Sequence, residues 1–175
     1  MTDSPEAPES LNNLQGQLLK TIEPSNTTCN CRDRPNCPLK GKCLESAIVY
    51  QATVTATNPT TATETKETYI GLTDTTFKIR YGNHKQSFKN EKLKNATELS
   101  KHIWILKEKK TDYTIEWTIV DKAKSYNNSS KRCHLCLQEN FYILCHPELA
   151  SLNQKSGIIN SCRHKNKFLL SKHPT

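Results

Sequence analysis

Two runs rich in β-branched residues, Ala47 to Thr55 and Thr68 to Leu72, stand on either side of a Thr-rich stretch that begins Asn58-Pro59. Such side chains suit a pleated, half-buried surface, and consecutive strands joined by an exposed loop are most simply antiparallel. A third run, Tyr113 to Val120, alternates polar and apolar residues as a half-buried strand does. Helical patterns occupy the rest. Thr75 to Phe88 sets Phe77, Tyr81 and His84 in register behind a cap at Asp74 or Thr75. Glu98 to Lys107, opened by Asn95 or Thr97, turns Leu99, Ile103, Trp104 and Leu106 inward, and Cys136 to Leu144 forms a third helix. The order strand, strand, helix, helix, strand, helix predicts an α+β fold, a small three-stranded antiparallel sheet flanked by helices.

The chain of 175 residues has about the length of one domain. Residues 1–28 are rich in Ser, Pro, Glu, Asn and Gln around a weak apolar cluster (Leu11, Leu14, Leu18, Leu19), and are expected to be a disordered leader. A Cys-rich segment over 29–45, a core over 46–155 and a basic C-terminal segment over 156–175 follow. No stretch is apolar for long enough to span a membrane, and no apolar core follows an N-terminal positive charge, so neither a transmembrane helix nor a signal peptide is expected. An intracellular setting, nuclear in a eukaryote, is the corresponding expectation. The net charge of +8 and pI near 9.1 suit a polyanionic partner. A lysine-rich surface that only maintains solubility would give the same charge.

Eight cysteines without a secretory signal favour metal-binding thiolates over a disulfide framework. Cys29, Cys31, Cys37 and Cys43 can supply four ligands, although a C-x-C followed by two gaps of five is an unusual ribbon spacing. Cys133 and Cys136, with Cys162 and His164 from the last segment, can close a second tetrahedral zinc site, for which Cys145 and His146 are alternative ligands. Four protein ligands leave no open position, so both zinc ions would be structural. Reduced, buried thiols are the alternative in each case.

The chemistry-bearing residues lie between these flanks. Arg80 and His84 are four apart, and therefore share one face of their helix. That helix follows the strand carrying Tyr69, whose partner strand carries Tyr50. A guanidinium offers a planar fork to phosphate oxygens, and His or Tyr can move a proton. Hydrolysis of a phosphodiester also calls for a divalent ion on a carboxylate, and Glu139 is the isolated acid on the helix after the third strand. Glu98 and His102 form a rival acid and imidazole pair, read instead as a first-turn acid favoured by the helix dipole and a packing or DNA-contact residue.

This ordered set resembles the GIY-YIG nuclease superfamily over about residues 46–155. Ile48-Val49-Tyr50 matches the first motif and Tyr69-Ile70-Gly71 the second, with Arg80 and His84 as the helix pair, Glu139 as the metal-binding glutamate and Asn153 as the late asparagine. The first motif lacks its glycine, Ile48 standing in that place, and the loop between the tyrosines is longer than usual for the family. The Cys-rich flanks are similar to those of the nuclease carried by Penelope-like and other retroelements. The resemblance implies a metal-dependent DNA endonuclease linked to a mobile element, with DNA and a reverse transcriptase or other mobile-element protein as partners. It implies one magnesium or manganese ion on Glu139, transition-state stabilisation by Arg80, water activation by Tyr50 or His84, and an orienting role for Tyr69. A zinc-stabilised nucleic-acid-binding module descended from such a nuclease, with no cleavage activity, is the alternative.

Overall fold

Strand β1 (Ile48–Thr57) is the central strand of an antiparallel sheet ordered β2-β1-β3, with β2 at Glu64–Thr73 and β3 at Asp112–Lys122. These assignments come from a computed structural model that describes residues 28–57, 63–124 and 133–153. The leader, the centre of the Asn58-Pro59 loop, the Ser125 to Lys131 loop and the basic C-terminal segment with Cys162 and His164 therefore lie outside the described residues. Among the described residues three α-helices accompany the sheet: α1 (Phe77–Ser87), α2 (Glu98–Glu108) and α3 (His134–Cys145). The architecture is α+β with a three-stranded antiparallel sheet, as the sequence pattern predicts. Strand β2 is longer than its β-branched run, because Glu64 to Glu67 complete the ladder opposite Val54 to Thr57 despite their polarity.

Strand alternation divides the core between the two faces of the sheet. Ile48, Tyr50, Ala52, Val54 and Ala56 share one cluster with Tyr69, Trp117, Phe77, Leu99, Ile103 and Leu106, covered by α1 and α2. Val49, Ile70 and Leu72 pack on the other side with Leu135, Cys136 and Ile143 of α3. Trp104 is half-buried, and its indole donates to the Ser87 carbonyl at 2.9 Å. Helix α2 begins as its sequence suggests, with the Thr97 hydroxyl accepting from Ser100 N at 3.0 Å.

Helix α1 begins differently from the sequence expectation of a cap at Asp74 or Thr75. Its N-cap is Thr76, which makes no side-chain cap bond. The first free N–H groups of the helix instead donate to carbonyls of the Cys-rich segment, Phe77 N to Glu45 O at 2.8 Å and Lys78 N to Cys43 O at 2.7 Å. That segment is fastened elsewhere as well. Leu39 is buried in the α1–α2 core cluster, Lys40 pairs with Glu116 at 2.9 Å, and Glu45 pairs with Lys122. The Cys-rich stretch, made of turns and bends as its Pro and Gly suggest, is thus part of the surface that orients α1.

Candidate active site

Tyr50 and Tyr69 sit on one face of the sheet on a diagonal, because the register pairs Tyr50 with Gly71 and Ala52 with Tyr69. A β-bulge lies at the same point. Val49 opposes Asp121 and Tyr50 opposes Ile119, so Val120 is the extra residue and the ladder is re-aimed beside Tyr50. Gly71 is required by this arrangement. A Cβ at position 71 would stand 2.6 Å from the Tyr50 hydroxyl oxygen, 2.7 Å from its Cζ and 2.9 Å from a Tyr69 ring carbon.

Helix α1 brings its paired cation and imidazole to the Tyr50 hydroxyl. His84 Nε2 is 2.7 Å from that oxygen, and Arg80 Nε donates to it at 2.8 Å. Aromatic rings enclose the contact, with Phe77 at 5.1 Å and Trp117 at 5.9 Å from the Tyr50 ring and Trp117 at 5.2 Å from His84. Tyr50 is fully buried, His84 is 2% exposed and Tyr69 4% exposed, whereas Arg80 is half-buried. Arg80 is therefore the member of the set with the clearest access to solvent.

Burial controls the protonation of this cluster. It raises the Tyr50 phenol above its ordinary range, Tyr69 and Glu139 push the same way, and the Arg80 guanidinium partly offsets them. Burial, with the Arg80 charge, lowers His84 to about 3, so at neutral pH the imidazole is neutral. Burial opposes the charge on Arg80, but Tyr50 and Tyr69 more than compensate and raise its pKa.

Glu139, on α3, is 2% exposed, and its charge acts on Tyr50, so the predicted acid belongs to the same neighbourhood. Asn153 is hydrogen-bonded to the backbone of β2. Its Oδ1 accepts from Ile70 N at 2.7 Å and its Nδ2 donates to Ile70 O at 2.8 Å, so the amide grips the outer edge of β2 one residue after Tyr69. Leu152 N donates to Thr68 O at 2.9 Å and extends the same clasp. The rival pair does not form, since Glu98 pairs with Lys101 at 2.7 Å and His102 is held below its usual pKa, chiefly by burial.

Cys29, Cys31, Cys37 and Cys43 converge, with all four Sγ atoms within 4.8 Å of one another. Adjacent separations are 3.6 Å for Cys29–Cys37 and 3.5 Å for Cys31–Cys43 and Cys29–Cys43. A tetrahedron of 2.3 Å zinc–sulfur bonds has sulfur–sulfur edges of about 3.8 Å, and a disulfide would need about 2.05 Å. The cluster therefore fits a metal such as zinc and is not cross-linked. The thiols are not equivalent. Burial pushes Cys37 up, but N–H groups of Gly41 and Leu39 and the neighbouring thiols bring it down to about 7, while burial and the other thiols drive Cys43 up to about 12. In the second expected site Cys133 and Cys136 are buried at the start of α3, whereas Cys145 is exposed and His146 lies 3.0 Å from Glu148.

Gly71 and Trp117 complete the arrangement around Tyr50 and His84. Gly71 was visible in the sequence as part of a motif, but its steric role depends on register. Trp117 reads there only as one apolar position of a strand. Compared with known proteins, the chain matches no family model, no curated protein and no solved structure. Among the described residues no helix is long and apolar enough to cross a membrane.

Proposed function

We propose that this chain is a metal-dependent DNA endonuclease domain of the GIY-YIG type, hydrolysing phosphodiester bonds. The observation that carries the reading is the Tyr50 hydroxyl held jointly by His84 Nε2 at 2.7 Å and Arg80 Nε at 2.8 Å, with Tyr69 and Glu139 beside it. Arg80, the half-buried member, meets the scissile phosphate with the rest of its guanidinium and stabilises the charge that develops in the transition state.

His84 does not meet water directly, because it is 2% exposed and its Nε2 is engaged by Tyr50. Tyr50 alone is a poor base, since burial opposes its phenolate. The two work as a pair. The tautomer of His84 with its proton on Nδ1 accepts from the Tyr50 hydroxyl, so as the Tyr50 oxygen takes a proton from water its own proton passes to Nε2; burial and the Arg80 charge oppose the imidazolium this forms, and a phosphate bound at Arg80 offsets that charge. The Tyr50 hydroxyl is itself fully buried in the free chain, so this step requires substrate entry to open a path for water beside Arg80. Tyr69 orients the phosphate or the water.

Glu139 fits a magnesium or manganese ion through the chemistry of its donor, a single hard carboxylate, because such ions keep waters and substrate phosphate as their other ligands. Bound there, the ion would offset negative charge on the leaving oxygen. The four-cysteine cluster, a set of soft thiolates, suits structural zinc and not this task.

Burial of Tyr50 and His84 favours one other reading, a zinc-stabilised nucleic-acid-binding module in which the same cluster only supports the fold. A plasmid-nicking assay in magnesium or manganese separates the two. The parent chain should nick, and Arg80→Ala and Glu139→Ala should each lose about 10²-fold or more of the rate. A parent that does not cut, or variants that cut as well as it does, would leave the binding module as the reading.

A further inference from the structure

Helix α1 has a second face that the catalytic reading does not use. At 3.6 residues per turn, Lys78, Lys85 and Lys89 fall within about 40° of one another around the axis, and Arg80 and His84 lie about 100–180° away. All three lysines are exposed, and Lys89 follows one residue beyond the helix C-cap. Opposite them stands the Cys-rich segment. Between the two runs a groove of about 580 Å³, with Asn36 and Pro38 on one wall and the lysine stripe on the other.

The groove has one sign of charge. Three lysines and no acid line it, and among the described residues none of the three is in an ion pair. Lys78 Nζ donates to Asn30 Oδ1 at 2.7 Å, which fixes its head at the rim, and Lys85 Nζ lies 5.4 Å from the centre of the Tyr81 ring. The helix rise separates the lysines by roughly 10 Å and 6 Å along the axis. Those intervals correspond to about three and two phosphates of one DNA strand, at 3.4 Å of helix rise per phosphate.

We propose that this groove seats the sugar-phosphate backbone of a DNA duplex away from the reacting bond, with Lys78, Lys85 and Lys89 each contacting phosphate. The proposal rests on the nuclease reading for its substrate class, but it requires only binding. It gives the four-cysteine cluster a second task, as one wall of a DNA-binding groove whose other wall is the back of the catalytic helix.

A competing role for the lysines follows from the same geometry. A divalent ion with four thiolates carries two negative charges, and Cys31 borders the groove, so Lys78 could serve as a counter-ion for the metal centre. Lys85 and Lys89, two and three turns further on, are too distant for that role.

The test measures fluorescence anisotropy of a short labelled DNA duplex with no magnesium or manganese, comparing the parent with a Lys78→Gln/Lys85→Gln/Lys89→Gln variant from about 50 to 200 mM salt. The variant should bind on the order of 10²-fold more weakly near 100 mM salt, and its slope of log affinity against log salt should be shallower by about 2.7. Its metal content and circular dichroism melt should match the parent's. An unchanged slope, a parent that does not bind duplex DNA, or a variant that loses metal while keeping its salt slope would overturn the proposal. A parent that binds with the expected slope but never cuts would remove the nuclease reading and leave the groove in place.

Discussion

The Tyr50 hydroxyl lies 2.7 Å from His84 Nε2 inside a shell of Phe77 and Trp117, and both residues are buried. Removing the hydroxyl separates its two proposed tasks. Tyr50→Phe keeps the ring packing but strips a bond from both Arg80 and His84, so stability should fall by about 1–3 kcal/mol in urea denaturation. Nicking should fall by at least about 10²-fold. Full nicking by Tyr50→Phe would show that the hydroxyl carries no proton.

His84 also makes stability depend on pH. Its folded pKa of about 3 lies below the 6.5 of the unfolded chain, so the unfolded state binds the extra proton. The stabilisation is complete above about pH 6.5 and is lost as pH falls from there toward 3. Urea midpoints measured from pH 8 to 4 should decline in the parent and less steeply in His84→Gln, in which His102, also held below its usual pKa by burial, still contributes. Parallel curves for the two proteins would show that His84 is not the group responsible.

Gly71 lies directly opposite Tyr50, and a methyl there would come within 2.6 Å of the hydroxyl oxygen. Gly71→Ala should therefore displace the Tyr50 ring and weaken its bonds to Arg80 and His84. An overpacking cost of about 1–3 kcal/mol is expected, with a loss of nicking larger than an equally destabilising change elsewhere would produce. Gly82→Ala should by contrast cost no stability, since a Cβ there meets nothing within 4 Å and a helix interior favours Ala over Gly.

The four-cysteine cluster and α1 are joined through Cys43, whose carbonyl caps Lys78 N at 2.7 Å. Metal analysis should return one zinc for this cluster. Cys43→Ser should lose that ion and lower the thermal midpoint by several degrees or more, because bound metal contributes directly to folding. Nicking should fall with it although no cysteine belongs to the proposed catalytic set. Zinc content and melting unchanged in Cys43→Ser would rule out the metal site.

Asn153 substitutes its side-chain amide for a neighbouring strand at the edge of β2. Asn153→Ala should cost about 1–2 kcal/mol through two lost bonds to the Ile70 backbone. Asn153→Asp should also be destabilised, because a carboxylate can accept from Ile70 N but faces the Ile70 carbonyl. A reduced nicking rate with unaltered magnesium dependence would mark a positioning role through Tyr69, whereas a shifted magnesium dependence would place Asn153 at the metal.

Elements whose causes are local were legible along the chain. β-Branched and alternating runs gave three strands, helical spacing placed Arg80 and His84 on one face of α1, and Thr97 marked the start of α2. The sequence also named the donor types, four thiolates in a short segment and one isolated acid after the third strand. Relationships between groups distant along the chain came from packing. The cross-strand register set Tyr50 above Gly71 and diagonal to Tyr69, and the return of residues 151–153 to β2 put Asn153 on Ile70. Carbonyls of Glu45 and Cys43 replaced the side-chain cap expected for α1, and the lysine stripe became one wall of a groove when the Cys-rich segment packed opposite. Local propensity cannot encode these relationships, because each is fixed by packing between separate segments and by where their unpaired backbone groups find partners.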